Sequence, residues 1–128
     1  MRHLESKEQI KFFNALQKIT FQGRTLREYF YAVPNAGMFG GKSGLRAGAR
    51  RKAEGVTAGV PDIESPLARQ GYTGLHIEMK KKDGVWSDVS EAQEKMIDLL
   101  RKEGRRCGVA FGCNEALDIA LDYVGIKH

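Results

Sequence analysis

The residues with the clearest chemical potential are Asp62, Glu78 and Lys80. From Leu75 to Lys80 apolar and polar residues alternate strictly, as in a strand whose successive side chains point to opposite faces. Glu78 and Lys80 then share one face, while Ile77 and Met79 point into the opposite layer. Gly59-Val60-Pro61-Asp62-Ile63 reads as a neighbouring strand. If the two pair as a hairpin, Asp62 stands beside Glu78. Two adjacent carboxylates repel and raise a pKa unless positive charge lies between them. Lys80 helps, but a divalent cation does so better, and hard oxygen ligands suit magnesium or manganese. Such an ion, held by Asp62, Glu78 and the Met79 carbonyl, would polarise a phosphate oxygen, with Lys80 orienting a water or taking its proton. This is an arrangement for phosphodiester cleavage.

The elements that must position these residues follow from periodicity and punctuation. Leu4, Ile10, Phe12, Phe13, Leu16 and Ile19 recur at helical intervals, predicting an amphipathic helix from Leu4 to Thr20. Tyr29 to Val33 reads as a short strand ending at Pro34. Asn35 to Gly59 holds seven glycines and five basic residues (Lys42, Arg46, Arg50, Arg51, Lys52) but few large apolar ones, and reads as a cationic loop. After the two central strands, Ser87 or Ser90 caps a helix with apolar positions Ala92, Met96, Leu99 and Leu100. Cys107 to Phe111 reads as a buried strand, and Asn114 as the cap of a last helix ending at Val124. The order predicts an α/β protein, a mixed sheet flanked by helices.

Composition narrows the class. With 128 residues, 41% apolar, 29% charged and a net charge of +5, the chain fits one domain spanning residues 1–128 and argues against natural disorder. No apolar run approaches the roughly 20 residues needed to cross a bilayer. The N-terminal segment mixes Glu5, Lys7, Glu8 and Lys11 with apolar residues, unlike a secretion signal, so the expectation is a soluble cytoplasmic protein. Cys107 and Cys113 match neither a zinc knuckle nor a redox pair and read as core thiols.

Pro61-Asp62, the sixteen-residue step to Glu78, and Glu78-Met79-Lys80 together resemble the PD-(D/E)XK nuclease signature. The surroundings sharpen the likeness: Val33-Pro34-Asn35 followed by glycines, Glu54 to Asp62, Ser90 to Gln93, and Gly104 before a strand. That succession resembles the VRR-Nuc branch of the superfamily, the module also found in the Fanconi-associated nuclease and as short stand-alone phage proteins, and it extends from about Glu5 to Val124. The resemblance implies a restriction-endonuclease-like α/β/α sandwich with a central mixed sheet. It also implies metal ligation by Asp62 and Glu78, water activation by Lys80 and support from Gln93. Family members place a further acidic residue on the first helix; Glu5 and Glu8 both match that region, and the choice between them stays open. Stand-alone relatives suggest a homodimer cutting branched DNA such as Holliday junctions, in the host cytoplasm if phage-encoded.

Plainer accounts compete at each position. Glu78 and Lys80 could form a surface ion pair, and Gln93 with Ser90 is also a capping box. His76 reads as a packed residue, and Trp86 as either a corner anchor or a base-stacking ring. Asn35, Lys42, Arg46, Arg50 and Arg51 are the candidate DNA contacts, a flexible clamp on phosphates. One rival is a nucleotide hydrolase. Ala36 to Ser43 fits a loosened phosphate-loop pattern, but Gly44 and Gly48 weaken the helix that such a loop needs. The other rival is a non-catalytic nucleic-acid-binding module, which would gain nothing from an acidic pocket.

Overall fold

The computed structural model describes residues 2–34 and 41–128; Asn35 lies outside the described residues. Helix α1 (Arg2–Leu16) leads into a two-stranded ribbon, β1 (Thr20–Phe21) and β2 (Arg24–Thr25), then a 3-10 turn (Leu26–Tyr29) and β3 (Tyr31–Ala32). Next come α2 (Gly41–Ala53), β4 (Ile63–Ser65), β5 (Leu75–Lys80), a 3-10 turn (Trp86–Asp88), α3 (Glu91–Lys102), β6 (Arg106–Phe111) and α4 (Cys113–Val124). Among the described residues no helix is long and apolar enough to cross a membrane.

The main sheet has the order β3-β4-β5-β6. β4 pairs antiparallel with both β3 and β5, with Ile63 opposite Ile77 and Glu64 opposite His76. β5 and β6 run parallel, with Glu78 opposite Val109 and Lys80 opposite Phe111. A parallel neighbour requires a crossover, and α3 supplies it. The sheet is therefore mixed and flanked by helices.

Each face of the sheet has its own cover. Ile63, Leu75, Ile77, Met79 and Ala110 pack against Phe12 and Leu16 of α1 and Ala116 and Ala120 of α4. Fully burying a side chain of this size is worth about 1.5–3 kcal/mol, so this layer is the main source of stability. Strand β5 is buried along its whole length, on the polar face as well as the apolar one. Glu78 (1% exposed), Lys80 (5%) and His76 (3%) are thus core residues, which overturns the surface ion-pair account.

Several elements differ from the sequence reading. Residues 41–53, expected to be loop, form α2. Each interior glycine costs a helix about 1 kcal/mol, but Arg46, Arg50, Arg51, Lys52 and three alanines are strong helix formers. α1 stops at Leu16 because Thr20 and Phe21 enter the ribbon, whose turn places both Gln22 and Gly23 at positive φ. Two consecutive positive φ values mark the hairpin turn best matched to strand twist. α4 begins at Cys113 rather than after Asn114, with Gly112 at its N-cap. On α3 the buried residue is Ile97, whereas Leu99 is exposed.

Candidate active site

Asp62 lies one residue before β4, on the face that Glu64 shares, because side chains two apart on a strand point the same way. Its Oδ2 accepts a hydrogen bond from the Met79 backbone N–H at 2.9 Å, which docks the carboxylate beside Glu78 on the adjacent strand. The approach depends on Gly59. A Cβ there would sit 2.5 Å from the Ala92 carbonyl oxygen, and its φ is +90°, so only glycine lets this segment pass under the start of α3.

The same close approach delivers Gln93. Ser90 caps α3 by accepting from the Gln93 backbone N–H at 3.1 Å, and the Gln93 Oε1 accepts from the Ser90 N–H at 2.8 Å. The Gln93 Nε2 then donates to Glu78 Oε2 at 2.9 Å. One amide therefore closes a capping box and holds the buried glutamate, so both readings of this residue apply together.

Glu78 is the electrostatic centre. Its pKa is pushed up to about 9, first by burial and then by the neighbouring Asp62 charge; Lys80 pulls the other way and Glu5 pushes up further. The Lys80 Nζ stands 3.8 Å from Glu78 Oε2. Among the described residues the buried Glu78 Oε1 has no hydrogen-bond partner. A buried carboxylate oxygen without a donor is costly, and a cation would relieve it. Among the described residues no three His, Cys, Asp or Glu side chains gather into a metal cluster. The donors at hand are two carboxylates and the Met79 carbonyl. All are hard oxygens, a set that fits magnesium or manganese.

The two α1 candidates separate cleanly. Glu8 Oε1 accepts from the Cys113 backbone N–H at 2.9 Å, and Oε2 lies 3.3 Å from the Lys11 Nζ. The Cys113 N–H is the main reason that the Glu8 carboxyl sits below the usual range. Gly112 has no side chain to cap α4, and Glu8 does so from another helix. Glu5, one turn earlier, is the acid whose charge reaches Glu78. The structure therefore gives Glu8 a fold-bearing contact, while the Glu5 charge is the one on α1 felt at Glu78.

A further polar row on the same sheet face was not read from the sequence. The Tyr31 hydroxyl donates to Glu64 Oε2, His76 Nδ1 lies 3.5 Å from Glu64 Oε1, and Arg105 Nη2 lies 3.9 Å from Glu64 Oε2. The available signal was Glu64 standing two residues after Asp62. Burial lowers the His76 pKa, which agrees with a packed histidine.

Of the basic candidates, Arg46, Arg50 and Arg51 are exposed on α2, and Lys42 falls in its first turn. The helix begins at Gly41, so the argument that glycines prevent a helix here fails. The strand before it, β3, is a two-residue edge strand, unlike the central strand that feeds a phosphate loop. Both cysteines are free and buried.

An acidic pair and a lysine on a central strand, within a four-stranded mixed sheet flanked by helices, define a restriction-endonuclease-like α/β protein. The VRR-NUC domain model matches residues 14–113. The chain belongs to this nuclease family. A solved structure of a VRR-NUC domain protein is similar over 97% of this chain and 90% of that one, with 30% identity and a TM-score of 0.81. No curated protein matches.

Proposed function

We propose that this VRR-NUC chain is one nuclease domain, residues 1–128, acting as a divalent-metal-dependent DNA endonuclease. It takes magnesium or manganese, hydrolyses phosphodiester bonds, and prefers branched DNA such as four-way junctions. The observation that carries the reading is the buried Glu78 beside the half-buried Asp62, with a Glu78 oxygen that lacks a donor among the described residues and Lys80 close by. A protein that only bound DNA would place carboxylates away from phosphates, because they repel a polyanion.

Asp62, Glu78 and the Met79 carbonyl would hold the ion, with Glu5 adding negative charge from α1. When bound, the ion supplies Lewis-acid polarisation of the scissile phosphate. Lys80 would orient the attacking water or, in its neutral form, take its proton. Gln93 fixes the Glu78 rotamer through its hydrogen bond. Arg46, Arg50 and Arg51 on α2, with Lys42 at its start, contact the phosphate backbone. Preference for branched DNA and a homodimer rest on likeness to stand-alone members; a dimer presents two sites to two strands.

The test is incubation with linear, flapped and four-way DNA, with and without magnesium. Magnesium-dependent cutting, strongest on the four-way substrate, is expected. Lys80→Ala should lower the rate at least about a hundredfold while junction affinity stays within a few-fold. Cutting without added metal, or undiminished by Lys80→Ala, would overturn the assignment.

A further inference from the structure

Between β5 and α3 the chain passes through Lys81-Lys82-Asp83-Gly84-Val85-Trp86. This corner is tightly built. Gly84 N–H donates to the Lys81 carbonyl at 3.1 Å, Asp88 N–H to the Val85 carbonyl at 2.8 Å, and Val85 N–H to Asp88 Oδ2 at 2.9 Å. A Cβ on Gly84 would stand 2.9 Å from both Asp88 Oδ2 and the Phe111 ring.

On this fixed turn two large apolar side chains point outward. Trp86 is 68% exposed and Val85 57%. The indole touches Phe111 in an edge-to-face contact, with ring centroids 5.3 Å apart and planes at 81°. Phe111 is the register partner of Lys80, and partners on adjacent strands project to the same side of the sheet. The exposed ring therefore stands at the same end and on the same face as the site lysine. Lys81 and Lys82 stand at the start of the same corner, Lys82 exposed.

We infer that Trp86, with Val85 beside it, is a stacking platform for an unpaired nucleobase of DNA bound at the Asp62–Glu78–Lys80 site. Every base has a π-face that an exposed aromatic ring can cover, and nearby lysines attract the adjoining phosphates. A ring held by Phe111 on a hydrogen-bonded turn has little freedom left to lose on binding. The corner would thus favour DNA in which a base is unpaired next to the scissile bond, as at a flap or where pairing opens at the crossover of a four-way junction. The inference rests on the nuclease reading.

Trp86 is the chain's one tryptophan, so fluorescence excited beyond the tyrosine absorption band reports this position alone. The protein is titrated in EDTA with a single-stranded oligodeoxynucleotide, a flapped duplex and a blunt duplex of the same sequence. Quenching by the first two but not by the blunt duplex is expected. Trp86→Ala should weaken single-strand and flap binding on the order of tenfold more than blunt-duplex binding, and Trp86→Phe should restore most of it. Binding without selective quenching, or an equal loss on all three DNAs, would overturn the platform. So would fluorescence that changes on dilution of the protein alone, which would identify a contact between two copies. Cleavage of DNA with Trp86 silent would sink this inference only; no binding or cleavage of any DNA would sink the nuclease reading with it.

Discussion

Glu78 is subject to opposing demands: burial and Asp62 favour its protonated form, while Lys80 favours its charge. The folded metal-free protein keeps the proton up to about pH 9, whereas an unfolded carboxyl releases it near 4.5. Between those values the folded state binds more protons, so stability falls as pH rises. His76 works in the opposite sense below its ordinary 6.5: burial keeps it neutral, so unfolding takes up a proton and stability falls as pH drops. The buried thiols titrate above their ordinary 9.0. From about pH 7 to about pH 8.5, then, Tm in EDTA should decline with pH, and Glu78→Gln should flatten the decline. A slope unaltered by that change would place the proton elsewhere.

Glu5 and Glu8 are one helical turn apart, and their environments separate their duties. Glu8→Ala removes the acceptor of the Cys113 N–H and should cost about 1–2 kcal/mol, lowering Tm by roughly 3–10 °C. Glu5→Gln should leave Tm nearly unchanged while raising the magnesium concentration that cleavage needs. Thermal melts and metal titrations on the two variants separate these outcomes; reversed effects would exchange the roles.

At the scale of elements, α2 is the informative surprise. It has five basic residues and no acid within its span, and Arg50, Arg51 and Lys52 complement the negative end of its dipole. Leu45 is its one large apolar residue, so no amphipathic period revealed it. A helix holds Arg46 and Arg50 one turn apart, so a phosphate clamp built on them would be a helical strip rather than a loop. Arg50→Ala with Arg51→Ala should weaken binding to every DNA form and reduce the slope of log affinity against log salt by about 2. An unchanged slope would mean that α2 does not touch phosphates.

Strand β5 teaches a related lesson. Its alternation was plain in the sequence, and so was the division between Ile77 and Met79 on one face and Glu78 and Lys80 on the other. Alternation normally signals one solvated face. Here α3 covers that face, because Gly59 lets α3 approach closely enough for Gln93 to reach Glu78. Periodicity reports the chemistry of a face, not what lies on top of it.

At the scale of the whole molecule, the family match spans residues 14–113 and leaves the first three turns of α1 outside it. Glu5 and Glu8 lie in that outer part, so their division of labour comes from geometry rather than from the match. The structural neighbour covers nearly the full chain. Sedimentation at micromolar concentration should show a homodimer, as paired cutting of a junction requires. A monomer there would remove paired cutting.

The sequence by itself singled out Asp62, Glu78, Lys80 and Gln93, which the fold brings together, and the order of most elements, because strand alternation, capping residues and turn residues are local and operate over a few positions. Only the tertiary structure decided that the polar face of β5 is buried, that Glu8 caps α4 while Glu5 acts on Glu78, and that Glu64 gathers Tyr31, His76 and Arg105. Those outcomes depend on which helix lies over which face and how closely, and contacts between residues as distant as Glu8 and Cys113 leave no periodic trace in the chain.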